Sequence, residues 1–179
     1  MGGRNAFTFA AENKSLVKSL IIVDAAPQNQ KIGSENIRRF VQQEDELDSI
    51  EDFVARVMEY NPRRSPKQIR GSISHNLKQL PSGKWTWKYD KVLRSGDAIL
   101  NHNREYSDKL WSHADSVDVP TLIVRGSASD VISMETGEEL HKRIIKSQLV
   151  TIEDAGHLVV GDNPSGFCEA VKGFLSDIN

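Results

Sequence analysis

Two carboxylates and an imidazole in this chain stand where proton-transfer chemistry would need them. His157 lies in Asp154-Ala155-Gly156-His157, Asp130 closes Arg125-Gly126-Ser127-Ala128-Ser129-Asp130, and Asp24 follows Leu20-Ile21-Ile22-Val23. Each comes just after a short apolar run of the kind that forms a buried strand. In an open parallel sheet the ligand crevice lies at the carboxyl ends of the strands, so one fold would bring all three groups to one edge. The chemistry they suit is activation of a nucleophile. A serine hydroxyl reacts poorly near neutral pH until a neutral imidazole takes its proton, and a buried carboxylate holds that imidazole in the right tautomer.

His157 is the best-placed base among the five histidines. His141 sits in a charged helical stretch and His102 between two asparagines; with His113 they read as solvated. His75 is a candidate to border a pocket. Asp130 is preferred as the acid partner, with Asp24 as the alternative acid. Plainer readings stand beside these. Asp130 also suits a cap or turn ahead of Met134-Glu135, and Asp24 a turn carboxylate serving nearby backbone N–H groups. From position alone, a histidine after a strand is more often structural.

The elements that must position these groups follow from the apolar pattern. Strands are expected at 19–23, 121–124 and 148–152, apolar without strict alternation. Between the last two, Glu135, Glu138 and Glu139 precede His141, Lys142, Arg143 and Lys146, a charge order that suits a helix dipole. A final helix is expected from Pro164 to about Ile178, with Phe167, Ala170, Val171 and Phe174 at helical spacing. Cys168, the one cysteine, falls within it and reads as a buried structural thiol in a reducing compartment. Strand, helix, strand, helix is the logic of a parallel sheet.

An insert at 27–119 separates the first strand from the second and is far too long for an ordinary connection. Ser34 is expected to cap a helix through Phe40 and Val41, and Asp48 or Ser49 one containing Phe53, Val54, Val57 and Met58. A short helix follows from Pro66 to Leu77, then a turn at Pro81-Ser82-Gly83. Trp85, Trp87 and Tyr89 alternate with polar residues there, as on a half-buried extended segment. The insert reads as a mostly helical lid over the C-terminal edge of the sheet. Trp85 and Trp87 read first as lid core and, with His75, as candidates to line a pocket that favours an apolar substrate portion. The expected division is 1–26, 27–119 and 120–179.

The bulk composition narrows the function classes. With 179 residues, 38% hydrophobic and 27% charged, the chain suits one globular domain with a small subdomain. A formal net charge of -2 gives no electrostatic reason to expect nucleic acid or a membrane surface as partner. No apolar stretch approaches the roughly 20 residues needed to span a bilayer, and no basic-then-apolar leader opens the chain. A cytoplasmic location is the expectation. There is no Cys/His cluster with zinc spacing, no Gly-rich phosphate loop and no calcium loop, so no metal and no cofactor are expected.

These motifs, in this order, resemble the α/β-hydrolase fold family. Met1-Gly2-Gly3 looks like the second half of a Gly-His-Ser-Met-Gly-Gly nucleophile elbow. Residues 20–27 resemble the family's sixth strand and its exit into the cap, and 120–130 its seventh strand and acid turn. Ala155-Gly156-His157, with Asp162-Asn163-Pro164 and Phe167, resembles its histidine loop and last helix. The resemblance implies an α/β fold: the C-terminal part of an α/β-hydrolase sheet, three parallel strands with flanking helices and a lid. It implies Asp130 as triad acid, His157 as base, and the backbone N–H of Met1 as an oxyanion-hole donor. The implied activity is hydrolysis of an ester or related carbonyl through an acyl-enzyme, on a small molecule with an apolar portion. Dehalogenases and epoxide hydrolases share the scaffold but attack with aspartate; Met-Gly-Gly favours serine.

The similarity covers about the C-terminal two thirds of a full member and begins one residue after the nucleophile of the motif. Ser15, Ser19, Ser127 and Ser129 do not fall at that position. The 179 residues alone are therefore expected to be inactive. The alternatives are a shortened, non-catalytic protein that binds a small molecule or a protein, and a longer active protein in which Met1 is internal. A strand at 19–23 without its upstream neighbour would have a bare edge, so self-association through that edge is expected. Sedimentation across a concentration series checks this: association that grows with concentration is the expected outcome, and a monomer with a sharp two-state melt is the contrary one.

Overall fold

The computed structural model describes residues 2–94 and 104–178. The chain runs α1 (Gly2–Glu12), β1 (Leu20–Val23), α2 (Lys31–Val41), α3 (Ile50–Tyr60), α4 (Pro66–Ile73), β2 (Leu77–Gln79), β3 (Trp85–Trp87), α5 (Arg104–Ser116), β4 (Thr121–Gly126), α6 (Met134–Arg143), β5 (Ser147–Ile152), α7 (Val159–Asp162) and α8 (Pro164–Asp177). Two compact units result, one from 1–34 with 102–179 and one from 35–101.

In the first unit β1, β4 and β5 form a parallel sheet in the order β1-β4-β5, with Val23 opposite Val124 and Val124 opposite Val150. Side chains alternate between the two faces. Leu20, Ile22 and Ile123 pack with Phe7 and Ala10 of α1, Leu110 and Ala114 of α5, and Leu140 of α6. Leu122 and Val124 pack with Ile152, Val159 of α7 and Phe174 of α8. Every residue of β4 is buried, which is why Leu122-Ile123-Val124 is apolar without alternation. Each fully buried Ile, Leu or Val here contributes about 1.5–3 kcal/mol, so β4 is the most firmly held element of the sheet.

The expected strands and helices of this unit form, with one strand extended: β4 runs on to Gly126. Two side chains differ from expectation. Phe167, Ala170, Val171 and Phe174 do face the sheet, but Cys168 is exposed. It shares the outer side of α8 with Leu175, seven residues on, which is also exposed. His113 is not solvated: its Nδ1 lies 3.1 Å from Thr8 Oγ1 and its Nε2 3.6 Å from Glu12.

The second unit has its own core. Phe53 is fully buried and meets Trp87 edge-on at 5.1 Å, with Val57, Ile69, Ile73 and Leu77 around them. Ser49 caps α3 and Ser65 caps α4, each in a reciprocal capping box, with Asp52 and Gln68 respectively. β2 and β3 form an antiparallel hairpin whose turn has Gly83 at φ 87°, a left-handed value that glycine adopts without strain.

Ser34 does not cap α2 as expected. The helix has already begun at Lys31, and Ser34 Oγ–H donates back to the Gln30 carbonyl at 3.0 Å. The second compact unit, 35–101, is shorter than the insert of 27–119. The reason is the apolar face of α5 and its exit: Leu110, Ala114, Val117 and Val119 complete the core over Phe7 and Ile22. Among the described residues no helix is long and apolar enough to cross a membrane.

Removing a buried ring leaves a cavity that the surroundings fill only in part. Phe53→Ala should therefore cost about 3–5 kcal/mol, read as a lower urea midpoint by tryptophan fluorescence. Cys168→Ala, at an exposed position, should leave the midpoint in place.

Candidate active site

β1 stops at Asp24. Its N–H still donates to the Val124 carbonyl at 2.7 Å, but its backbone then enters the left-handed region at φ 45°. Few residues accept that conformation; Asp and Asn are among them. The Asp24 side chain is 0% exposed, so each of its oxygens must find a donor. Oδ1 accepts the Gly126 N–H at 3.1 Å. Oδ2 accepts the Ser129 hydroxyl at 2.6 Å and lies 2.8 Å from His157 Nδ1.

The turn after β4 is shaped around that carboxylate. Val131 N–H and Ile132 N–H donate to Ser129 Oγ at 3.1 and 3.2 Å. Buried Arg125 staples the same turn, its Nε donating to the Ile132 carbonyl at 3.0 Å. From the other side, Gln30 N–H donates to the Val131 carbonyl at 2.7 Å. Gly33 can approach the backbone of Asp130 and Val131 only because it has no Cβ.

His157 arrives on a loop that is docked at several points. Ser127 N–H and Ala128 N–H donate to the carbonyls of Ile152 and Ala155, both at 2.9 Å. A Cβ at Gly126 would overlap the carbonyl oxygens of Ala155 and Gly156, so the loop closes on β4 only over a glycine. Beyond the histidine, Asp162 accepts from Gly156 N–H at 2.9 Å. Asn163 both donates to the Glu153 carbonyl, at 3.0 Å, and caps α8 through Gly166 N–H. The Asp162-Asn163-Pro164 run thus anchors the loop from its far side.

The imidazole is 32% exposed at its side chain while its carboxylate partner is sealed. In a neutral ring with Asp24 accepting, Nδ1 carries the proton and Nε2 the lone pair. Among the described residues nothing hydrogen-bonds Nε2. This is the arrangement of a general base with one nitrogen oriented and the other open to a reacting hydroxyl or water.

Of the two acids expected from sequence, the alternative, Asp24, is the one that meets the histidine. His157 hydrogen-bonds Asp24, not Asp130. Asp130 is half-buried, and its main chain lies against Gly33. Since β4 lies between β1 and β5, a residue after β4 would seem better placed to meet the histidine after β5. Two features reverse this. The left-handed turn at Asp24 sends its carboxylate inward, and the Gly126 N–H at the end of β4 donates to it. In the turn after β4, the residue aimed inward is Ser129.

Met1 lies outside the described residues. Trp85 and Trp87 belong to the second unit and pack against its core, Trp87 also stacking on Tyr89 at 5.6 Å. His75 is an exposed residue of the same unit. Arg4 was missed from sequence, where it is one more charge on a helix. It is buried, and its guanidinium ties α1 to the loop after Asp24, with Nε on the Ala26 carbonyl at 2.9 Å and Nη2 on Asn29 Oδ1 at 2.8 Å. Desolvation pulls its pKa below the ordinary arginine value, partly opposed by Tyr106. Among the described residues no three His, Cys, Asp or Glu side chains are grouped to hold a metal ion.

The two acids separate experimentally without any substrate. In wild type a low-field His157 Nδ1–H proton resonance is expected. Asp24→Asn should abolish it, and Asp130→Asn should leave it in place; the reverse pattern would restore Asp130 as the acid.

A family model for the alpha/beta hydrolase fold matches residues 1–164. Esterase Rv0045c of Mycobacterium tuberculosis is 29% identical over 182 residues, covering 98% of this chain and 58% of that protein. The sn-1-specific diacylglycerol lipase ABHD11 of Mus musculus is 24% identical, covering 98% of this chain and 57% of its own length. Among solved structures, the Rv0045c crystal structure superposes with a TM-score of 0.75 at 28% identity, over 97% of this chain and 57% of that one. E-2-(acetamidomethylene)succinate hydrolase superposes at 0.81 and 21% identity, over 98% and 63%, a likeness of fold. The chain thus spans somewhat more than half the length of these relatives. On its matched residues and its sheet, this chain belongs to the alpha/beta hydrolase fold family.

Proposed function

We propose that these residues supply the proton-handling half of a serine-type carboxylic ester hydrolase, with His157 as general base and Asp24 as its orienting acid. The observation that carries this reading is the 2.8 Å contact between His157 Nδ1 and a carboxylate with no exposure. Esterases and lipases among the relatives support an ester with an apolar portion as the substrate class.

The chemistry follows from the open Nε2. It takes the proton of a serine hydroxyl as that oxygen attacks the ester carbonyl carbon. The tetrahedral adduct collapses, the C–O bond to the alcohol breaks, and the leaving oxygen takes the proton back from His157. Water, deprotonated at the same nitrogen, then cleaves the acyl-enzyme to a carboxylic acid and free serine. Asp24 stabilises the imidazolium in both steps. The family pattern puts the serine one position before Met1 and uses the backbone N–H at Met1 for the oxyanion.

Accordingly the 179 residues alone should neither hydrolyse a p-nitrophenyl ester nor be labelled by a fluorophosphonate probe. A serine labelled within this chain would overturn the assignment of the nucleophile. In a chain extended through Gly-x-Ser ahead of Met1, labelling and turnover should appear. There His157→Ala should lower kcat by roughly 10⁶-fold and Asp24→Asn by about 10⁴-fold. An extended chain that stays inert favours the non-catalytic reading.

A further inference from the structure

Ser129 has no place as a nucleophile, yet it is the most constrained hydroxyl of the site. The residue is 8% exposed, and its oxygen accepts the N–H groups of Val131 and Ile132 at 3.1 and 3.2 Å. A hydroxyl has two acceptor sites and one proton. With both acceptor sites taken, the proton goes to the remaining polar neighbour, Asp24 Oδ2 at 2.6 Å.

The consequence falls on the carboxylate. Gly126 N–H occupies Oδ1, and the Ser129 hydroxyl occupies Oδ2 alongside His157. A backbone N–H can only donate, and Ser129 has no acceptor site left. A carboxylate that takes all three groups as donors can only accept, so the proton of the His157 contact belongs to Nδ1. The count closes with one proton on Ser129, one on His157 Nδ1 and none on Asp24.

We propose that Ser129 is a positioning residue that sets the tautomer of His157 through Asp24. It rests on the reading of His157 as base in one respect only, that the tautomer it enforces leaves Nε2 bare. Without the hydroxyl, Oδ2 keeps a single donor and the carboxylate loses the contact that fixes its plane. The Val131 and Ile132 N–H groups then compete for that oxygen. The Nε2–H tautomer, useless as a base at the open nitrogen, becomes accessible.

The test uses the 179-residue chain labelled with ¹⁵N in histidine, and reads tautomers from ring nitrogen shifts. In wild type, His157 should be the Nδ1–H form with a low-field proton resonance. Ser129→Ala should abolish that resonance and bring in the Nε2–H form, while Ser129→Thr, which keeps a hydroxyl, should restore the wild-type pattern. A folded Ser129→Ala protein with the wild-type tautomer would overturn the proposal. Should that variant fail to fold, the wild-type protein decides. A slowly exchanging Ser129 hydroxyl proton with a cross-peak to His157 Nδ1–H supports the proposal, and a hydroxyl that exchanges freely with water sinks it. These readouts involve no turnover, so a chain that fails as an esterase leaves the tautomer result intact, and the converse also holds.

Discussion

A carboxylate sealed from water at the end of β1 is the constraint on which the rest of the site depends. Leaving such a group without its donors costs about 1–3 kcal/mol for a neutral polar atom and more for a charge. Asp24 therefore requires its neighbours to come to it, and they come from three separate stretches: the last residue of β4, the turn after it, and the loop after β5. None of the three contacts forms unless the other elements are in register. The parallel pairing of β1 with β4 and β4 with β5 supplies that register.

Stability and geometry come from different parts of the unit. The buried residues of β4 and the apolar faces of α1, α5, α6 and α8 supply the hydrophobic term, roughly 25 cal/mol for each Å² removed from water. A hydrogen bond to a charged group contributes only about 1.5–3 kcal/mol net. The network around Asp24 is accordingly a small part of what keeps the sheet folded. Its effect is to select one arrangement of three loops that the core alone would leave adjustable. Functional groups at strand ends gain from this division, because the rigid sheet carries the loops and the polar contacts aim them.

Close backbone approach is the second device. Gly126 admits the His157 loop, and Gly33 admits the turn that presents Ser129. Gly3 plays the same part at the start of α1, where a Cβ would overlap that of Ala25, just past Asp24. Arg4 then ties that helix to the same loop. The small residues at the opening of the chain and the acid at the end of β1 are thus parts of one packing arrangement. The second unit is built differently, from caps, a hairpin and an aromatic core centred on Phe53.

Local pattern alone was enough for the elements. Apolar runs marked β1, β4 and β5, a cap at Asp48 or Ser49 marked α3, and the stripe from Phe167 to Phe174 marked α8, because each depends on residues within a turn or two of one another. His157 as a candidate base was legible for the same reason, as a histidine closing a strand-and-glycine motif. The choice of acid was not. Asp24 and Asp130 both follow strands, and no local signal says which side chain turns inward. That was decided by a left-handed backbone at Asp24 and, about a hundred residues on, by the Gly126 N–H and the Ser129 hydroxyl, brought together only by strand pairing. The burial of Arg4, the pairing of His113 with α1 and the exposure of Cys168 were settled likewise by neighbours distant in the chain. Sequence periodicity determines which elements form and in what order; the tertiary structure determines which polar groups lose water, and therefore which of them must meet.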